Sequence, residues 1–309
     1  MLKLDESAKG VYVIAVTPFT DSGDLDLEST DRMVDFYLSA GVSGITVLGM
    51  MGEAPKLTIS ESKIFVQRVI RTVAGAIPVV VGVSSPGFPA MQELAQAVMA
   101  DGASGVMIAP PGTVSTDAQI ATYFEQVADV LGPTPFVLQD FPLANGVKID
   151  AKVIVQIVQR LPTCVVLKHE DWPGLSKITA LRAASDKGEM RRISILCGNG
   201  GLFLTEELER GADGAMTGFG YPEMMVNVCN ESFAGRTDRA RDIFDAYLPL
   251  MRYEQQPGVG LAIRKYVLAK RGAIASAKLR VPGASIGPAE IAEIETLIAR
   301  QDRRLREIC

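Results

Sequence analysis

Histidine and tryptophan are nearly missing from this chain of 309 residues, with one of each, and cysteine occurs four times, at positions 164, 197, 229 and 309. A single histidine, His169, excludes a histidine-rich metal cluster. The four cysteines are too far apart for metal-ligand spacing, so no metal is implied, and in a reducing compartment they read as buried free thiols. Long hydrophobic runs are also absent. The apolar segments are strand-length, as in residues 79–83, far short of the ~18 residues expected of a spanning helix. Lys3, Asp5, Glu6 and Lys9 precede the first apolar run, a pattern unlike an export signal. A cytoplasmic protein with no membrane partner is expected. Charge of either sign is modest: 31 Lys and Arg against 36 Asp and Glu give a net −5. The basic residues are scattered, which argues against a nucleic-acid partner or an anionic membrane surface. A small soluble molecule is the expected ligand.

What the chain does have is apolar material, 48% of its residues, enough for a sizeable core. Short β-branched runs alternate with amphipathic stretches. The runs predict strands at 11–16, 44–48, 79–83, 105–109, 136–139, 165–168, 193–197 and 214–216. Helix-like stretches follow them, as at 27–39, 61–74, 91–100 and 117–130. Eight βα units predict a closed (β/α)8 TIM barrel of the α/β class. A local repeat supports this: Ala40-Gly-Val-Ser-Gly44, Asp101-Gly-Ala-Ser-Gly105 and Arg210-Gly-Ala-Asp-Gly214 each read as a helix ending at a glycine with a strand starting at once. The rival doubly wound sheet lacks a Gly-x-Gly-x-x-Gly turn after the first strand. Beyond the eighth strand only helices are predicted, near 240–251, 259–269 and 288–304. The expected organisation is a barrel over 1–236 and a helical region over 237–309 packed on it.

Active sites of such barrels sit where strands end. Most of the strand ends carry glycine, methionine or proline, but the sixth ends Leu167-Lys168-His169-Glu170-Asp171. Alternation turns Val166 and Lys168 into the barrel and Val165 and Leu167 toward the helices. An inward amine between apolar walls is poorly solvated when charged, and this favours the neutral, nucleophilic form that attacks a ketone. The bland alternative is a strand-end lysine reaching solvent. Glu170, two residues on, falls on the same side and is a candidate base. Asp140, after inward Gln139, faces the other way unless the chain bends. In Leu48-Gly49-Met50-Met51-Gly52-Glu53, flanking glycines let backbone N–H groups converge on a carboxylate, although a tight turn accounts for them too. The glycine loops after strands seven and eight, with Gly198, Thr217 and Gly218, are candidates for substrate contact; a phosphate site is the rival reading.

These motifs, in this order, resemble the dihydrodipicolinate synthase and N-acetylneuraminate lyase family along nearly the whole chain. Ala15-Val-Thr-Pro-Phe19, Gly49-Met-Met-Gly-Glu53, Gln139-Asp-Phe-Pro142 and Lys168 carry the resemblance. It implies a Schiff base between Lys168 and pyruvate or another 2-keto acid, no metal or organic cofactor, and a homo-oligomer, tetramer or dimer. The departures bear on substrate. Met50 and Met51 stand where the family has loop hydroxyls, Gln139 where it has a catalytic tyrosine, and Ala144 where the synthase has an arginine for its second substrate. Gln139-Asp140, Lys168-His-Glu170 and the segment 214–222 are similar to the branch that dehydrates 2-keto-3-deoxy sugar acids, notably L-2-keto-3-deoxyarabonate dehydratase. The expectation is a lyase of that type, with Lys168 as imine-forming amine, Glu170 as base and Gln139 holding a hydroxyl or water. Gly49, Met50, Met51, Gly52, Asp140, Gly198, Thr217 and Gly218 are the expected substrate contacts. Alternatives are a pyruvate aldolase, a synthase-like condensation, and a non-catalytic keto-acid binder.

Overall fold

Gly41, Gly102 and Gly211, the first glycines of the three repeats, have positive φ values of 77°, 112° and 92°, which let each helix stop and the chain turn into the next strand. The second glycine serves close packing at Gly214, where a β-carbon would collide with the backbone of Gly10 on the strand beside it. That pair joins the last strand to the first. In this computed structural model, which describes residues 2–172 and 174–308, eight parallel strands form a closed barrel in sequence order.

The strands are β1 (Gly10–Ile14), β2 (Gly44–Val47), β3 (Val79–Gly82), β4 (Gly105–Ile108), β5 (Phe136–Asp140), β6 (Cys164–His169), β7 (Ser194–Cys197) and β8 (Gly214–Ala215). The helices between them are α1 (Leu27–Ser39), α2 (Ile59–Val73), α3 (Phe88–Asp101), α4 (Asp117–Leu131), a one-turn α5 (Pro142–Asn145), α6 (Ala151–Arg160), α7 (Leu175–Asp186) and α8 (Leu204–Glu209). Helix α2 starts two residues earlier than its apolar pattern suggests. Thr58 and Glu61 form a reciprocal capping box that satisfies the first amides of the helix.

Alternation along the strands divides the apolar residues into two layers. Ile14, Val80, Met107, Val137, Leu196 and Met216 fill the barrel, and Leu4 and Ala8 from the segment before β1 join them. The larger layer lies between strands and helices. Strand β6 breaks the alternation once. Phe136 pairs with Cys164 but Val137 pairs with Val166, so β6 carries one extra residue, a β-bulge. Val165 consequently packs with Val166 in the interior cluster and not toward the helices as simple alternation predicts. Above the bulge regular phase returns, with Leu167 outside and Lys168 inside.

After β8 come α9 (Pro222–Phe233), α10 (Thr237–Glu254), α11 (Gly260–Lys270) and α12 (Pro288–Ile308). Two neighbouring residues of α11 reach the mouth of the barrel. Arg264 Nε donates to Glu254 Oε1 at 2.6 Å, and Glu254 Oε2 accepts from the Gly220 amide at 3.0 Å, holding the loop after β8. Lys265 Nζ donates to Glu53 Oε1 at 2.7 Å and to the Lys278 carbonyl at 2.8 Å, holding the loop after β2.

Among the described residues no helix is long and apolar enough to cross a membrane. Cys164, Cys197 and Cys229 are buried free thiols; burial pushes Cys164 and Cys229 up to about 12 and Cys197 upward as well. Cys309 lies outside the described residues.

Candidate active site

Gln139 and Lys168 are register partners on β5 and β6, so their side chains emerge together on the inner face. Glu170 follows Lys168 at the strand end, where its amide donates to the Asp140 carbonyl at 2.9 Å. Its carboxylate turns back over both neighbours. Glu170 Oε2 lies 3.0 Å from Lys168 Nζ and accepts from Gln139 Nε2 at 2.7 Å. Lys168, Gln139 and Glu170 are all at most 5% exposed, so this is a nearly enclosed amine, carboxylate and amide. The surroundings of Lys168 are therefore not purely apolar as the strand sequence suggests: a carboxylate compensates its charge.

Asn199 was not legible as part of this group. Its Nδ2 donates to the Glu170 carbonyl at 2.8 Å and its backbone N–H to Glu170 Oε1 at 3.4 Å. The sequence signal was the Gly-Asn-Gly-Gly run: Gly198 leaves no β-carbon against Glu170, and Asn199 itself takes a positive φ of 48°.

Asp140 is not brought to the group. It is fully buried on the outer face beside its register partner His169 and accepts from Lys177 Nζ of α7 at 2.7 Å, and its second oxygen has no partner among the described residues. His169 Nε2 pairs with the Gly174 carbonyl at 3.0 Å, while Nδ1 lies 3.7 Å from Asp140 Oδ2. This second polar cluster sits behind the strand and holds it in place.

The loop after β2 forms a 3-10 turn, Met50–Gly52. Among the described residues the Met50 and Met51 amides donate to nothing in the chain, as the first amides of a helical turn do. Met51 packs on the barrel interior and Met50 is exposed. The Gly52 carbonyl accepts from Thr17 Oγ1 at 2.6 Å, which ties this loop to the segment after β1.

The loops after β7 and β8 are closed on themselves. The Gly200 amide donates to Thr217 Oγ1 at 3.0 Å, the Gly201 amide to the Gly198 carbonyl at 2.8 Å, and the Gly220 amide to Glu254. Gly218 backs onto the Arg264 guanidinium and the Ile14 carbonyl. With these three amides engaged, part of the donor set that the rival phosphate reading needs is already in use.

A cavity of about 540 Å³ opens beside the group, under the ends of β2 to β5. Gln139, Gly49 and Met50 line it. Lys168, Glu170, Gly198, Thr217 and Gly218 are not among its lining residues. The Lys168 group thus adjoins the cavity through Gln139.

A buried catalytic-type lysine at the end of β6 in a closed (β/α)8 barrel defines the class: the class I aldolases and lyases. The family model for the "Dihydrodipicolinate synthetase family" matches residues 7–301, and the chain belongs to that family. It is 29% identical to L-2-keto-3-deoxyarabonate dehydratase of Azospirillum brasilense, over 95% of this chain and 94% of that protein. It is also 29% identical to 4-hydroxy-tetrahydrodipicolinate synthase of Sorangium cellulosum, over 96% of each. Among solved structures, a dihydrodipicolinate synthase from Rhodopseudomonas palustris is 53% identical, with a TM-score of 0.95 over 97% of this chain and all of that one.

Proposed function

We propose that this enzyme forms a Schiff base between Lys168 and a 2-keto acid and dehydrates a 2-keto-3-deoxy acid, one bearing a hydroxyl at C4. The observation that carries this reading is the single carboxylate oxygen, Glu170 Oε2, shared between Lys168 and Gln139. The dehydratase from A. brasilense, whose named substrate has such a head group, supports the reaction type.

Glu170 takes a proton from the Lys168 amine at 3.0 Å, and the freed lone pair attacks the keto carbon at C2. Glu170 returns its proton to that oxygen, which leaves as water, so that a protonated imine and a free carboxylate remain. The imine withdraws electrons from C3, whose proton passes to Glu170, giving the enamine. The enamine electrons then expel the C4 hydroxyl, which leaves as water with the proton held by Glu170. Water hydrolyses the conjugated imine and returns Lys168. One water is lost from the substrate overall. Gln139 has no proton to exchange, so its part is to orient Glu170 through Nε2. The Met50 and Met51 amides are the donors available for the keto acid's carboxylate. No metal or organic cofactor enters, and the working form is a homo-oligomer.

Condensation with a second charged substrate has weaker support, because Ala144 lines the cavity where a cationic side chain would serve that substrate. The test is borohydride reduction with pyruvate, followed by mass spectrometry of the Lys168 peptide and turnover of 2-keto-3-deoxy acids. A reduced adduct on Lys168 together with water loss from the substrate is expected. No adduct, or adduct without any turnover, overturns the assignment.

A further inference from the structure

The cavity beside Gln139 is unusual in what its walls lack. None of its lining residues is Asp, Glu, Lys, Arg or His. Leu57 precedes α2 and Ile59 opens it, Val83 follows β3, Leu94 comes from α3, Met107 from β4, and Phe141 follows β5. Pro86, Pro110 and Pro111, which carry no N–H, form more of the rim.

The few polar residues in the lining are partly engaged within the chain, which leaves the hydroxyls of Ser62, Ser84 and Ser85 and Gln139 Oε1 as its free polar groups among the described residues. Asn145 uses both ends of its amide, Nδ2 to the Pro110 carbonyl at 2.9 Å and Oδ1 from the Val147 amide at 2.9 Å. Ser84 Oγ accepts from the Ala109 amide at 2.9 Å, and Ser85 Oγ accepts from the Gly87 amide at 3.4 Å. Gln139 Nε2 is committed to Glu170. A polyhydroxylated tail placed here would give up its water for few partners, at a cost for every hydroxyl left unmatched. An apolar tail faces no such cost and gains from burial. At about 540 Å³ the space lies within the range of small-molecule sites and far exceeds the needs of a three-carbon keto acid.

We infer that the substrate is a 4-hydroxy-2-oxo acid whose group beyond C4 is aromatic or branched aliphatic, seated in the cavity bounded by Leu57, Ile59, Val83, Leu94, Met107 and Phe141. This rests on the Schiff-base reading of Lys168 and narrows its substrate class. The head group sits at Lys168 and Glu170, and the tail passes Gln139. The tail then differs from the hydroxymethyl end of a sugar acid while the chemistry at C2 to C4 stays the same. With a phenyl tail, loss of water gives an enone conjugated with the ring.

The full-length protein is assayed with 4-hydroxy-4-phenyl-2-oxobutanoate and with a 2-keto-3-deoxypentonate, following enone absorbance and pyruvate release. The expected result is a kcat/KM at least about tenfold higher for the phenyl substrate, the scale on which an apolar pocket discriminates. Ala144→Arg, at an exposed wall position, places a cation in the cavity. It should erase that preference while borohydride trapping of pyruvate on Lys168 is unchanged. Equal or better turnover of the pentonate by the unsubstituted protein overturns the inference, as does an Ala144→Arg variant that keeps the preference. Trapping separates the two levels. An adduct without phenyl preference leaves the Schiff base standing and removes the apolar tail, whereas absence of any adduct removes both.

Discussion

Gly198 lies flush against Glu170: a β-carbon at position 198 would overlap Glu170 Cγ and its carboxylate. The site uses the glycine's lack of a side chain: the space that a β-carbon at 198 would need is already filled by Glu170.

Gly198→Ala should push the Glu170 side chain away from Lys168 and Gln139. Misplacing a catalytic group by about 1 Å costs on the order of 100-fold in rate, and that is the loss expected in kcat/KM. Lost turnover in a variant that still melts cooperatively, and still gives the borohydride adduct on Lys168, is the pattern to look for. Turnover within about threefold of the original enzyme would contradict the role given to this contact.

Glu170→Gln keeps the shape and removes the proton acceptor. Turnover of a 2-keto-3-deoxy acid is expected to fall by about 10² to 10⁴, the contribution of a positioned general base. Borohydride trapping with pyruvate at long incubation should still label Lys168. Unchanged steady-state turnover in this variant would sink the assignment of Glu170.

The Glu53 and Lys265 pair, which anchors the loop after β2, predicts a stability effect. Both are buried; burial pulls Lys265 below its ordinary value, against the upward pull of Glu53. Glu53→Gln would strand the ammonium and should cost about 3 kcal/mol, as breaking a buried pair from one side does. Lys265→Met should cost less, because Glu53 keeps Lys56 at 2.8 Å and the Arg280 amide at 3.1 Å. Denaturant midpoints of the two variants, measured side by side, decide it; equal losses would show that the pair does not control this region.

Glu207 predicts a pH dependence. Burial raises its carboxyl from 4.5 to about 7, opposed by His169 and by a bond with the Cys197 thiol, and Oε2 has no hydrogen-bond partner among the described residues. The folded state thus holds this proton more tightly than the unfolded chain. The resulting stabilisation is complete below about 4.5 and is lost as pH rises to about 7. Glu207→Gln is neutral throughout. Its stability relative to the unsubstituted protein should improve by about 2 to 3 kcal/mol between about pH 5 and pH 8. Thermal unfolding at both pH values reads this directly, and a constant offset would refute it.

The inward phase of Lys168 was legible because alternation above residue 166 is regular, and the same rule correctly turned Glu170 inward and Asp140 outward. Val165 was not legible. A bulge is a relation between two strands, and nothing in Cys164-Val-Val-Leu-Lys168 marks the extra residue. The eight-stranded barrel followed from local patterns repeated along the chain, including the helix-ending glycines. The apolar cavity could not be read this way, since its walls come from segments between Leu48 and Asn145 that only barrel closure brings together. Lys177 escaped for the same reason, being 37 positions from the carboxylate it holds.

Arg264 and Lys265 are consecutive on α11, yet one is linked to the loop after β8 and the other to the loop after β2, on the two sides of β1. A boundary drawn at residue 236 therefore separates the barrel from its own clasp. Unfolding of α11 would release both loops in one event, so the rim of the barrel and its trailing helices gain and lose order together, as one cooperative unit with the mouth of the active site inside it.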